Sequence, residues 1–303
     1  MKKWINYLSL LLCSKYHPKR ELRHYYRKIL DVPSFEDSVS IHSINKRITG
    51  ELKEIRDVEN IQYKCNNKDE WLACYRAESN KNLEILSSES SNITEWTKEI
   101  FKLTFPSESV LEIGCATGFS SLYLGLNGRK IGGLDFSQEM LNIFSAQAKQ
   151  LGIQDVMTFC ANVKNRLPIE DSSWDVVFHA GLVEHFTEDE VQFIINENRR
   201  IAKRLVVSMV PNANSIAYRL GKIYKEKNGQ WFAGIENPKT TQVNYFINAG
   251  LKNIKEYSID LESALYFLPE THCFSSVLRT IYRNLPTDDN CNQGYLLVTI
   301  GEK

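Results

Sequence analysis

Apolar and polar positions follow two alternating rhythms along this 303-residue chain, one of strands and one of helices. Ile93, Trp96, Ile100 and Leu103 recur at helical spacing, and Pro106 closes that segment. Val110, Leu111 and Ile113 predict a short buried strand; Gly114 and Gly118 bracket a turn; Phe119, Leu122, Leu124 and Leu126 fit a helix. Lys130–Asp135 predicts a second strand, and Leu141, Phe144, Ala148 and Leu151 form one face of a helix capped by Ser137 and ended by Gly152. Val156–Cys160 and Trp174–His179 predict the third and fourth strands. Thr187 with Glu190 makes a capping box that opens a helix to about Ile201. Arg204–Met209 predicts a fifth strand, broken by Pro211. A helix over Val243, Phe246 and Ile247 starts at Thr240 or Thr241 and ends at Gly250; Leu251–Asp260 and Gly294–Gly301 then close as strands. Strands that alternate with helices predict an α/β protein with a mostly parallel sheet of six or seven strands.

Two stretches fall outside that alternation. Asn212–Asn237 and Leu261–Asn292 read as insertions, at about 212–237 and 261–292, into a domain spanning 106–303. The first carries Tyr218, Lys222, Tyr224, Lys225, Lys227, Trp231 and Phe232, which suit either a wall of an acceptor pocket or the core of a surface helix. Residues 1–105 read as a helical N-terminal region, punctuated by Pro18 and Pro33, that covers the substrate or packs on the domain. Met1–Cys13 imitates a signal peptide, but Asn6 and Ser9 interrupt its apolar run and no small-residue cleavage site follows. Trp4, Ile5, Leu8, Leu11 and Leu12 instead share one side of an amphipathic helix, which packs on its own protein or, as the alternative, touches a membrane.

Charge and cysteine usage narrow the class. Thirty-seven basic residues balance thirty-seven acidic ones, which argues against a nucleic-acid partner. The basic excess within the first thirty residues suits steering of an anionic substrate or an acidic carrier, or simply a solvated helix face. Seven scattered cysteines without a Cys-x-x-Cys pair suit a reducing, cytoplasmic compartment. None has metal-ligand spacing.

The candidate chemistry centres on Val110–Phe119. A strand, a small-residue turn and a helix N-terminus make a cradle for a charged or ribose-bearing ligand. A nicotinamide fingerprint requires glycine where Ala116 and Phe119 stand, so that reading fails. Asp135, about twenty residues past the loop, can accept from two vicinal ribose hydroxyls. Glu112, Gly114 and Gly118 resemble the first motif of class I S-adenosylmethionine-dependent methyltransferases, of the small-molecule, methyltransferase type 11/12-like kind; Ala116 departs at its middle glycine. Asp175–His179 with Glu184–Phe186 resembles that family's fourth motif and the segment after it. The likeness covers roughly 105–303 and implies a Rossmann-like seven-stranded, mostly parallel sheet with helices on both faces, whose last strand inserts antiparallel beside the fifth.

The resemblance implies S-adenosylmethionine as cofactor, held by Glu112, Gly114, Cys115, Ala116, Gly118, Asp135, Phe136, Asn162, Val163 and His179, with Tyr75 and Arg76 covering it from the N-terminal side near Trp71. It also implies methyl transfer to an O or N atom of a small or medium-sized metabolite, in a biosynthetic setting. His185 and His179 are the candidate bases, against a purely structural role for Glu184-His185. Some quinone-pathway O-methyltransferases gather a divalent metal with Glu-x-x-Glu-His; Gly181 replaces the first glutamate here, so no metal is expected. A cofactor-binding regulator without activity is the alternative; aminopropyl transfer ranks below both, because the first insertion is basic.

Overall fold

The computed structural model describes residues 68–88, 93–231, 233–269, 273–284 and 292–303. The expectations for the basic segment and the amphipathic N-terminal face lie outside the described residues. In chain order the elements are α1 (Lys68–Ser87), α2 (Glu95–Leu103), β1 (Ser109–Ile113), α3 (Phe119–Leu126), β2 (Lys130–Asp135) and α4 (Gln138–Gln150). They continue with β3 (Met157–Cys160), β4 (Trp174–Ala180), α5 (Glu188–Ile201), β5 (Ala202–Pro211), α6 (Ile216–Lys227) and α7 (Val243–Asn248). β6 (Lys252–Ile259), α8 (Leu261–Tyr266), α9 (Cys273–Tyr282) and β7 (Leu296–Glu302) complete the chain. Contacts divide it into two compact units: the smaller includes Ala213–Trp231 and Leu261–Tyr295, and the larger holds the other described residues.

The larger unit is built on a seven-stranded sheet of order β3-β2-β1-β4-β5-β7-β6. β1 to β5 run parallel, and β7 lies antiparallel between β5 and β6, as the resemblance implies. Val110, Phe144, Phe178 and Val298 pack in a core on one face; Leu111, Val177, Ile194 and Leu297 pack on the other. A sheet covered on both faces needs apolar side chains at consecutive strand positions, which is why β1 and β4 read as near-continuous hydrophobic runs.

Local signals start the helices where the sequence places them. The Thr187 side chain accepts from the Glu190 amide and Glu190 answers the Thr187 amide, closing the expected capping box at α5. Ser137 caps α4 through the Met140 amide. One boundary differs: β5 continues through Pro211 instead of stopping at Met209, pairing Val210 and Pro211 with Leu297 and Leu296 of β7. Proline lacks a donor but is tolerated at a strand end.

A polar row crosses the larger unit's sheet: His179 is in register with Ser208, Ser208 with Thr299, and Thr299 with Glu256. Gln242 ties the row together. Ser208 Oγ donates to Gln242 Oε1 at 2.6 Å, Gln242 Nε2 donates to Thr299 Oγ1 at 3.2 Å, and Thr299 donates to Glu256 Oε2 at 2.7 Å.

Within the smaller unit, Tyr218, Trp231, Phe267 and Tyr295 form an aromatic cluster with ring centroids 4.9–6.5 Å apart. Tyr218, Lys222 and Trp231 of the first insertion are buried in this local core, where Lys222 pairs with Glu226 at 3.0 Å and lies over the Trp231 ring. α6 has no side-chain cap of its own; the Ile216 amide donates to Gln293 Oε1 and the Ala217 amide to the Tyr282 hydroxyl.

Candidate active site

The strand order reverses between β1 and β4, which feed opposite edges of the sheet. In open α/β sheets the crevice at the carboxyl ends beside such a point is where ligands bind. A cavity of about 330 Å³ opens there, walled by Gly114 and Ala116 after β1, Asp135 and Phe136 at the end of β2, Asn162 and Val163 after β3, and Gly181, Leu182 and His185 after β4. Trp71, Leu72 and Tyr75 of α1 form the remaining side. The volume is in the range of small-molecule sites.

The turn after β1 is fixed from within. The Gly114 and Cys115 amides both donate to the Leu134 carbonyl at 2.7 and 3.0 Å, and the Gly118 amide donates to Cys115. Gly118 has φ +73°, and a Cβ there would stand 2.3 Å from the Phe144 ring. That glycine lets the turn close onto α4. Ala116, where the motif has glycine, takes φ 47° and donates its amide to Asp135 Oδ2 at 2.9 Å.

Asp135 links the two sides of the cradle. Its Oδ1 accepts the Ser137 amide at 2.9 Å while Oδ2 holds Ala116, and the residue is only 5% exposed although it faces the cavity. A carboxylate that ends a strand and faces a cavity is suited to accept from ribose hydroxyls. A ribose-bearing cofactor fits these residues.

Eight of the expected site residues meet at the cavity: Tyr75, Gly114, Ala116, Asp135, Phe136, Asn162, Val163 and His185. Five do not form its wall. Glu112 is turned into the protein, where its Oε2 accepts the Ser121 amide and hydroxyl; burial pushes its carboxyl up to about 7 against those two bonds, with Asp135 adding to the rise. Cys115 is buried beneath the turn, and burial raises its thiol. Gly118 packs on Phe144. His179 is fully buried within β4 with neither ring nitrogen hydrogen-bonded, and burial drives its imidazole down to about 3. Arg76, one residue past Tyr75, is rotated about 100° around the helix and forms an exposed pair with Glu139.

Asn162 and His185 are held by neighbouring backbone. Asn162 Oδ1 accepts the Lys164 amide at 3.0 Å, so part of its acceptor capacity serves its own loop. His185 Nδ1 lies 2.7 Å from the Ile235 carbonyl, which can only accept, so Nδ1 carries a hydrogen and Nε2 is the nitrogen left toward Glu184. Glu184 Oε1 is 3.8 Å from Nε2, and Trp71 meets the imidazole edge-on at 5.5 Å.

Among the wall residues absent from the expectations are Leu72, Met140, Ala161, Lys164, Leu182 and Phe186. The four-residue spacing of Trp71 and Tyr75 does place both on one helical face; the others carry no sequence signal beyond being apolar next to a motif.

Residues 110–204 match the family model of a methyltransferase domain. No curated protein sequence matches the chain. Among solved structures, a candidate O-methyltransferase of Nostoc punctiforme is similar at 14% identity and TM-score 0.53, over 84% of this chain and 68% of that one. A candidate methyltransferase of Haloferax volcanii, solved in complex with the Trm112 methyltransferase activator, is similar at 17% identity and TM-score 0.50, over 77% of this chain and 94% of that one. These two likenesses concern the fold. Residues 110–204 are thus similar to a methyltransferase domain, on a fold shared with these structures, and the residues lining the cavity suit S-adenosylmethionine.

Proposed function

We propose that the chain transfers the cofactor's methyl group to an O or N atom of a small or medium-sized metabolite. The observation that carries this reading is one cavity whose wall joins the glycine turn and Asp135 to Trp71, Tyr75 and His185. When bound, S-adenosylmethionine supplies a methyl already activated by its sulfonium. Asp135 would hold the ribose hydroxyls, the turn after β1 would allow close backbone approach, and Phe136 and Val163 would flank the adenine.

The chain's own contribution is to position and enclose the reactants. Holding an acceptor near attack distance contributes on the order of 7–11 kcal/mol in favourable cases. Leu72, Leu182 and Phe186 supply apolar walls that keep water from the reacting atoms. Calorimetry with S-adenosylmethionine, followed by incubation of the full chain with methyl-labelled cofactor and a fractionated metabolite extract, tests the reading. Saturable binding with label recovered in a small molecule is expected. Label appearing only in macromolecules overturns it.

A further inference from the structure

Four strand ends and the segments that follow them supply most of the cavity wall; α1 supplies the rest, through Trp71, Leu72 and Tyr75. We infer that Arg76 and Glu139 are positioning residues: their ion pair clamps the N-terminal half of α1 onto α4 and thereby slows the escape of a bound ligand. The inference rests on the reading of this cavity as the S-adenosylmethionine site, and it concerns two residues outside the cavity wall.

The attachment of α1 is uneven along its length. Near its C-terminal end, Leu86 is buried in the core with Ile100, Val110 and Leu122. At mid-helix, Ser79 is buried and its carbonyl accepts from Nε2 of the buried Gln147 at 2.8 Å. From Asp69 to Glu78, Leu72 is the one buried side chain among those described, and Leu72 itself faces the cavity. Local stability follows buried apolar contact, so the half of α1 that walls the cavity is the half that packing holds least.

The ion pair stands where that packing is thin. Arg76 Nε and Nη2 donate to separate oxygens of Glu139, Oε1 and Oε2, the second bond at 2.5 Å. A fork-to-fork pair of this kind fixes direction as well as distance. Arg76 follows Tyr75 in the chain and Glu139 precedes Met140, so the pair ties together the backbone beside two wall residues on different helices. Glu139 lies in the first turn of α4, where the helix dipole favours a negative charge. The bonds from Arg76 hold the Glu139 carboxyl below its ordinary range, so the pair stays ionised near neutral pH.

Exposure gives this clamp a signature. Both side chains are about half exposed, so dissolved ions screen their attraction. Apolar packing of the same helix would not weaken with added salt. An arginine that covered the cofactor directly, as the resemblance implies, would act without Glu139.

The test uses the full chain in three measurements. Hydrogen exchange on the ligand-free chain probes the clamp without cofactor: Arg76→Ala and Glu139→Ala should each speed exchange of the Trp71–Glu78 amides by roughly two- to fivefold and leave those of Asn82–Leu86 at wild-type rates. Unchanged exchange over Trp71–Glu78 overturns the clamp. Calorimetry with S-adenosylmethionine probes the reading underneath; absent binding overturns that reading and leaves the exchange result to decide whether the pair fastens α1. Release of labelled S-adenosylhomocysteine, chased with the unlabelled compound, should be about two- to fivefold faster in either variant, with the thermal midpoint unchanged. The double variant should release no faster than either single one, because the two side chains act as a pair. High salt should speed release from the wild type and not from the variants. Wild-type release from either single variant, additive effects in the double variant, or salt-insensitive release from the wild type overturns the inference. A change in Arg76→Ala alone also overturns it and assigns the arginine to direct ligand contact.

Discussion

Asp135 does two jobs that one experiment can separate. It closes the cradle through the Ala116 and Ser137 amides, and it faces the cavity. Charge-assisted hydrogen bonds are worth about 1.5–3 kcal/mol each, so Asp135→Ala should weaken S-adenosylmethionine binding by roughly 10- to 150-fold in calorimetry. Asp135→Asn keeps one acceptor oxygen and should lose less. His179 makes a different prediction, in stability. Its imidazole is held neutral down to about 3 by burial, whereas an unfolded histidine protonates near the ordinary value of 6.5. Below 6.5 the unfolded chain therefore binds a proton that the native state refuses, and stability falls as pH drops from there toward 3. At pH 5 this one group costs about 2 kcal/mol relative to neutral pH. Glu112 acts in the opposite sense, because burial raises its carboxyl to about 7 and its native state keeps a proton that the unfolded chain gives up above 4.5. The comparison of wild type with His179→Gln isolates the first effect: the variant's thermal midpoint should decline less between pH 7 and pH 5.

At the scale of elements, the turn joining β1 to α3 carries the most constraint. Gly118 combines a left-handed φ of +73° with a neighbouring ring that leaves no room for a methyl group. A left-handed non-glycine residue costs roughly 1–2 kcal/mol and overpacking about 1–3 kcal/mol more. Gly118→Ala should therefore destabilise the domain by about 2–5 kcal/mol in thermal or urea unfolding, and weaken cofactor binding with it. Ala116 shows the milder side of the same geometry, with φ 47° and its amide bonded to Asp135. That bond helps the turn tolerate a methyl where the family motif has glycine. The turn, the strand it leaves and the carboxylate it meets were all legible in the sequence. Arg76 and Glu112 show what was not: a motif gives a residue's place along the chain, while helix phase or a neighbouring hydroxyl decides which way its side chain turns.

Across the whole molecule, the row from His179 to Glu256 joins four strands that are distant in sequence. Gln242 satisfies Ser208 and Thr299 at once, both fully buried. Gln242→Ala would take the acceptor from the buried Ser208 hydroxyl while Thr299 keeps Glu256, and one unmade buried bond costs about 1–3 kcal/mol. A loss of about 1–3 kcal/mol is expected by thermal unfolding, with cofactor affinity per folded molecule unchanged because Gln242 lies outside the cavity wall.

The sequence by itself determined the order of strands and helices along the chain, the capping box at α5 and the cap at α4, the glycine turn after β1 and the carboxylate that ends β2. These depend on periodicity, on backbone freedom at glycine and on contacts a few residues apart, all of which are local. Only the tertiary structure decided that His185 lines the cavity while His179, six residues earlier, is sealed in the sheet. The same holds for Trp71 reaching the imidazole and for Asp135, Glu112 and Glu184 joining Glu78 around Tyr75. Those relations join α1, the strand ends and the turn after β4, and they arise only where packing brings separate segments together.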